Sequence, residues 1–180
     1  MSQRIILFRG MNTGGVRAPV AGQRAMAEAM GLRNPRTLLA SGNLVVDSDS
    51  DPRTLEAEIE AAMKARFQLT LAAVVRTPEQ WAGLIAANPF QEEAKAAPSK
   101  LLVMVMKDGI RSGAVDALRA LTAPGERVEP AGGALFLWHP EGIGRSKMAG
   151  KAQPRLIGVG TGRNWNTVLK LAEMAGLPSR

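Results

Sequence analysis

Twice along this chain, short β-type runs and stretches of helical periodicity follow one another in the order βαββαβ. That order narrows the fold more than any other feature. In the first half, Arg4–Arg9 (RIILFR) reads as a short buried strand. Ala18–Gly31 reads as a helix, with Pro19 in its first turn, Gly31 just past its end, and Met26, Ala27 and Met30 on an apolar face. Gly22 inside it weakens the helix. Thr37–Ala40 and Asn43–Asp47 read as strands joined at Ser41-Gly42. Asp51–Phe67 is a stronger helix, apolar at Leu55, Ile59, Ala62, Met63 and Phe67, and Leu69–Thr77 is a strand.

The second half nearly repeats this order. A linking helix Pro78–Ala87 and a connector Asn88–Ser99 precede it. Then come strand Leu101–Lys107, helix Ala114–Leu121, a strand near Arg127–Glu129, a turn at Gly132-Gly133 and strand Leu135–His139. A helical stretch Ser146–Leu156, a strand near Gly158–Thr161 and a last helix Trp165–Ala175 complete it. The expected fold is therefore α+β: two ferredoxin-like units with antiparallel sheets, plus a linking helix and a C-terminal helix. The units are expected over residues 1–77 and 100–180, with residues 78–99 between them. Several strands are apolar on both faces, as in Leu101/Val103/Val105 against Leu102/Met104/Met106. Both faces of such a sheet are expected to be covered, by the other half of the chain or by a second subunit.

Composition removes several kinds of chemistry. There is no cysteine, hence no disulfide, thiolate nucleophile or iron–sulfur cluster, and one histidine, His139, too few for a structural zinc. The start, MSQRIILFRG, has an apolar run too short for a signal peptide or a membrane span, so a cytoplasmic protein without a membrane partner is expected. The net charge of +7 is unevenly placed. From Gly142 to Ala172 there is no acid, while Arg145, Lys147, Lys151, Arg155, Arg163 and Lys170 fall within that window. Such a window either meets a polyanion or forms a solvated face.

Four segments invite a chemical reading. In RGMNTGGVR, Gly10 and Gly15 have the glycine spacing of a phosphate-binding P-loop, but Val16 and Arg17 stand where its Lys and Ser/Thr belong, so a nucleotide-hydrolysing loop is rejected. A dinucleotide G-x-G-x-x-G is absent as well. What survives is an anion-binding nest of backbone N–H groups at Asn12, Gly14 and Gly15, with charge from Arg9 or Arg17, set against an ordinary glycine turn. DSDSDP has the acid spacing of a calcium loop, yet Pro52 occupies the position that needs glycine, so Asp51 reads as a helix cap. IGRSKMAGK groups Arg145, Ser146 and Lys147 at a helix start. In RNWNTVLKL, Asn164 reads as an N-cap, leaving Arg163 and Asn166 for a ligand or a neighbouring loop. His139, at a strand end, reads first as structural, and one histidine among scattered serines makes no triad. Sheet-face RNA readout is disfavoured, because the strands RIILFRG and SGNLVVDSD offer one aromatic residue, Phe8.

Taken in order, LFRGMNTGG, LLASGNLVV, GIGRSKM and TGRNWNTVLKL resemble the bacterial family called domain of unknown function 1697. That family reads L-R-G-I-N-V-G-G, Q-S-G-N-V-V-F, I-G-R-S-K-L and T-R-N-W-N-T-V. Met11, Thr13, Ala40, Val46 and Met148 depart from it, and Ala40 loses an amide side chain. The resemblance covers nearly the whole chain. It implies paired ferredoxin-like units in a cytoplasmic bacterial protein, implies that the four segments belong together, and supplies no reaction.

Three functions remain. The first is non-enzymatic binding of an anionic ligand, either nucleotide-like or a nucleic-acid backbone, through Arg9, Asn12, Gly14, Gly15, Ser41, Asn43, Arg145, Ser146, Lys147, Arg163, Asn164 and Asn166. The second is an enzyme acting on a small phosphorylated or carboxylated substrate, with Ser41, Ser146 or His139 reactive. The third is a scaffold or oligomeric subunit using apolar sheet faces. No cofactor and no metal is called for. The Asn12 loop and the Arg145–Arg163 region are expected to meet if they form one site.

Overall fold

The structure is a computed structural model and describes residues 2–11, 17–39 and 42–178. The chain divides into two compact units. Unit 1 is Met1–Trp81 with Leu171–Arg180, and unit 2 is Ala82–Lys170. This division differs from the expected one: the boundaries fall inside two helices, and the end of the chain clusters with unit 1. Among the described residues no helix is long and apolar enough to cross a membrane.

Unit 1 runs β1 (Gln3–Phe8), α1 (Val20–Ala29), β2 (Arg33–Leu38), β3 (Asn43–Asp47), α2 (Pro52–Phe67), β4 (Ala73–Arg76) and the start of α3 (Pro78–Ala86). Its sheet has the order β2-β3-β1-β4, antiparallel throughout, which is the ferredoxin-like arrangement. Strand alternation sends Ile6, Phe8, Leu44, Val46 and Val75 to one face, where they pack with Met26 of α1 and with Leu55, Ile59 and Met63 of α2. Each fully buried aliphatic side chain of this kind contributes about 1.5–3 kcal/mol. On the opposite face Ile5, Leu7, Val45 and Val74 are buried too.

Helix α2 forms for the reasons its sequence announces. The Asp51 carboxylate accepts from the Thr54 N–H at 3.0 Å, Pro52 opens the first turn, and Gln68 ends the helix in the left-handed region. The same helix guards a sheet edge. Glu56 and Glu60, one turn apart, accept the backbone N–H groups of Val75 at 3.0 Å and Ala73 at 2.9 Å. Their carboxylates thus occupy the outward donors of edge strand β4, which would otherwise invite another strand.

Strand β2 begins four residues before the expected Thr37. It is an edge strand with few buried side chains, a register shift between Arg33 and Arg36, and Pro35 inside it. Neither alternation nor β-propensity reveals such a segment. Conversely, the strand expected over Leu69–Thr77 pairs only from Ala73 to Arg76.

Unit 2 continues with the rest of α3, α4 (Gln91–Ala96), β5 (Leu101–Met106), α5 (Ala114–Arg119), β6 (Arg127–Ala131), β7 (Ala134–Trp138), α6 (Lys147–Lys151), α7 (Pro154–Ile157), β8 (Gly160–Asn164) and the first part of α8 (Trp165–Met174). The sheet order β6-β7-β5-β8 repeats that of unit 1. The expected single helix over Ser146–Leu156 is two short ones, because Pro154 opens a new helix and Gln153 before it is extended. The connector over Asn88–Ser99 holds α4 and a 3-10 turn, Pro98–Lys100. Met104, Met106, Leu135 and Leu137 pack on one face with Leu118, Met148 and Ile157. Gly160 and Gly162 share that face: a Cβ there would come within 2.7 Å of Met106 Sδ and 2.9 Å of Met104 Sδ. The glycines leave room for the two methionines. Thr161 and Arg163 therefore alternate to the other face, where Val103, Val105 and Phe136 are buried and Trp165 lies 6.4 Å from Phe136, ring centre to ring centre.

Candidate functional site

Two features of unit 2 stand out chemically: an exposed basic segment, and a buried polar cluster at its base. The basic segment runs from a 3-10 turn, Ile143–Arg145, through α6 and α7. Met148 and Ile157 are fully buried and anchor it to the helix-side core. That anchoring turns Arg145, Lys147, Lys151 and Arg155 to solvent, and all four are exposed. Arg111, also exposed, donates to the backbone carbonyl of Arg155 and brings a fifth cationic side chain to the end of α7. Glu141 and Glu173 bracket the window, which itself contains no acid. Two other cations of the unit are paired: Arg119 with Glu129 at 2.9 Å, and Arg127 with Glu93 while lying over the Phe90 ring.

The buried cluster gathers Glu126, His139 and Ser146. The β6–β7 hairpin turns at Gly132 and Gly133, and its register sets Arg127 opposite Trp138. One step further out, Glu126 and His139 face each other. His139 is fully buried, and its Nδ1 lies 3.6 Å from Glu126 Oε1. Neither ring nitrogen has a hydrogen-bond partner. Glu126 accepts the Ala123 N–H at 2.9 Å. Ser146 Oγ in turn accepts the Ala149 N–H at 3.0 Å and caps α6. Burial pushes the Glu126 carboxyl up, but the Ala123 N–H, the Ser146 hydroxyl and His139 outweigh it and hold it below the usual range. Burial also pushes the His139 imidazole below its ordinary value, with Glu126 opposing.

The expected site residues separate into distinct groups. Asn12, Gly14, Gly15 and Ser41 lie outside the described residues. The flanks of their segments do meet inside unit 1. The Phe8 N–H donates to the Gly42 carbonyl at 2.9 Å, and Gly42 packs against Phe8 and Met11. Arg9 follows β1, and its N–H donates to the Ala72 carbonyl at 2.9 Å. Asn43 is fully buried and donates to the Leu38 carbonyl at 2.9 Å, which ties the ends of the β2–β3 hairpin. In unit 2, Arg145 and Lys147 are exposed and Ser146 is a cap.

Arg163 is not part of the basic surface. It is 8% exposed, and its guanidinium donates to Thr161 Oγ1 at 2.7 Å and to the Gly162 carbonyl at 2.8 Å. Burial lowers its pKa to about 10, so it stays charged at neutral pH. It lies on the sheet face away from Met148, so Arg163 and the α6 segment belong to opposite faces of unit 2. Asn164 caps α8 as expected, accepting the Thr167 N–H at 3.0 Å and hydroxyl at 3.1 Å, while Asn166 is exposed. Asn164→Ala is accordingly expected to cost about 1 kcal/mol, seen as a fall of roughly 2–4 °C in Tm. An unchanged Tm would remove the capping role and return Asn164 to the candidate ligand groups.

Glu126 was not among the candidates, yet its carboxylate lies beside His139. Counting outward from the Gly132-Gly133 turn pairs residue 126 with 139, so the signal lay in the hairpin register. Arg111 was missed because sequence distance hid its contact with α7.

A family model described as "Protein of unknown function (DUF1697)" matches residues 1–136. No curated protein matches the chain. Among solved structures, the conserved bacterial protein SP0830 from Streptococcus pneumoniae is similar in fold, with a TM-score of 0.77 at 19% identity, covering 97% of this chain and 98% of that one. The match over three quarters of the sequence, on a fold of two four-stranded antiparallel sheets, places the chain in the DUF1697 family.

Proposed function

We propose that this protein binds a polyanion, a nucleic-acid backbone, through the exposed basic segment of unit 2. The observation that carries the reading is the run Arg145, Lys147, Lys151 and Arg155. These four side chains are exposed on one short segment held down by Met148 and Ile157, in a window without acid. Repeated cations along a surface suit repeated phosphates, and release of condensed counterions supplies the affinity. The recognition would be of backbone and not of bases. The chain has seven aromatic residues; Phe8, Trp81, Phe90, Phe136 and Trp165 are buried, and Phe67 and Trp138 are half-buried. Base-stacking platforms need exposed rings.

The enzymatic alternative draws less support. Ser146 Oγ accepts the Ala149 N–H as the cap of α6, and His139 is fully buried. The scaffold alternative wants an apolar patch. Among the described residues the exposed large apolar side chains are Leu39 and Leu169, and scattered single residues of this kind are ordinary on a surface.

The test is fluorescence anisotropy with a labelled single-stranded oligonucleotide of about a dozen thymidines. Four phosphate contacts imply a loss of about 50-fold in affinity between roughly 50 and 200 mM salt. Lys147→Glu with Lys151→Glu is expected to weaken binding at least about tenfold and to flatten the salt dependence. No salt-dependent binding would overturn the reading. Tight binding of inorganic triphosphate without binding of the oligonucleotide would replace it with a small-anion site.

A further inference from the structure

Each unit ends its sheet on an edge strand built to one local plan, and unit 2 lacks one part of it. Phe8, Ile6 and Ile5 of β1 stand opposite Ala73, Val75 and Arg76 of β4. Met106, Met104 and Val103 of β5 stand opposite Gly160, Gly162 and Arg163 of β8. One step beyond these pairs the cross-strand bond is the same. The Arg9 N–H donates to the Ala72 carbonyl at 2.9 Å, and the Lys107 N–H donates to the Val159 carbonyl at 2.8 Å. Backbone groups point alternately to the two sides of a strand. These bonds therefore turn the N–H groups of Ala73 and Val75 outward in unit 1, and those of Gly160 and Gly162 outward in unit 2. The arginines match as well. Arg76 Nη1 donates to the Val75 carbonyl at 2.8 Å, and Arg163 Nη1 donates to the Gly162 carbonyl at 2.8 Å.

In unit 1 carboxylates from α2 complete the plan. Glu56 accepts the Val75 N–H at 3.0 Å and lies 3.7 Å from Arg76 Nη1, while Glu60 accepts the Ala73 N–H at 2.9 Å. In unit 2 the helices that lead into β8, α6 and α7, lie in the window without acid. Among the described residues nothing accepts the Gly162 N–H.

We infer that the outer edge of β8 binds the carboxylate of a small-molecule ligand through the Gly162 N–H and the Arg163 guanidinium, as Val75 and Arg76 hold Glu56. Arg76 shows that a guanidinium bonded to its own strand still stands beside a carboxylate. Arg163 has the same strand bond and is 8% exposed, so an oxyanion there meets its charge with little water between them. Burial lowers the Arg163 pKa to about 10, and a bound carboxylate offsets that cost of enclosure. Gly162 is half-buried and within reach of a ligand, whereas Gly160, the match of Ala73, is buried. The site is thus confined to Gly162 and Arg163. It does not rest on the polyanion reading.

The test follows the amide resonance of Gly162 in the full chain while sodium propionate replaces sodium chloride at constant ionic strength. A saturable shift is expected, with a Kd on the order of 10 mM, because so small an anion makes few contacts. Arg163→Lys keeps the charge but loses the planar fork, and is expected to weaken binding at least about fivefold. Should that variant not fold, propionamide on the wild type serves instead. It has the same shape without the charge and is expected to bind at least about tenfold more weakly.

A Gly162 amide that does not move up to about 100 mM propionate would overturn the inference. So would propionamide binding as well as propionate, or undiminished affinity in a folded Arg163→Lys. Saturation of the same amide by inorganic phosphate but not by propionate would overturn the carboxylate assignment. None of these outcomes bears on oligonucleotide binding, which the reading above assigns to the α6 segment on the other face of the sheet.

Discussion

Gly42→Ala is expected to destabilise the protein by about 3 kcal/mol and to lower its Tm by roughly 6–12 °C. Two independent constraints meet at this residue. Its φ is +81°, a left-handed conformation that side-chain-bearing residues rarely adopt. A Cβ at this position would also sit 2.7 Å from Met11 Cβ and 2.9 Å from Phe8 Cβ. Those neighbours are the first atoms of their side chains, so no rotamer change moves them away. Relief would require a backbone shift in β1 or at the start of β3, both of which lie in the unit 1 core. Thermal unfolding followed by circular dichroism measures the effect. A Tm within about 2 °C of the wild type would show that the hairpin accommodates a side chain here.

Glu56→Ala is expected to cost about 2–4 kcal/mol and to make the protein prone to self-association. The carboxylate is 3% exposed and accepts the Val75 N–H at 3.0 Å, with Arg76 and Arg53 each 3.7 Å from one of its oxygens. Truncation leaves a strand donor without its acceptor and removes a carboxylate from beside two guanidinium groups. The bared donor lies on the outer edge of β4. Glu56→Gln keeps an acceptor of the same shape and should recover about half of the lost stability. Urea unfolding and static light scattering together test this. Equal stability of the alanine variant and the wild type would sink the argument for Glu56. Greater stability loss in the glutamine variant than in the alanine variant would sink it as well.

Much of the architecture was legible because local chemistry and tertiary packing agree. Asp51 and Pro52 announce α2, and the two glycines at 132 and 133 announce the β6–β7 turn. The βαββαβ order appears in the apolar runs of both halves, and both sheets adopt the corresponding strand order. Gly22, which seemed to weaken α1, lies against the Phe67 ring: a Cβ there would come within 3.0 Å of it. Strand β2 was read short because an edge strand with Arg33, Asn34, Pro35 and Arg36 carries no alternation to read.

The candidate site was less legible. Polar residues of the four family segments looked alike as ligand groups, yet several serve the fold. Asn43 closes a hairpin, Ser146 and Asn164 cap helices, and Arg163 is bonded to its own strand. A cap and a ligand contact use the same oxygen atoms, and only the identity of the nearby donor tells them apart.

By itself the sequence determined the succession of elements, the helix ends with their own capping residues, and the absence of thiol chemistry. These depend on residues a few positions apart, or on composition alone. Tertiary structure decided which cations face water and which are enclosed. Arg145 and Arg163 stand in the same acid-free window, but one is exposed and the other is 8% exposed. Strand alternation places Arg163 opposite Gly160 and Gly162, whose side of the sheet is filled by Met104 and Met106. Alternation can be read from a sequence. Whether both faces of a strand are covered depends on packing between distant residues, and no local pattern encodes it.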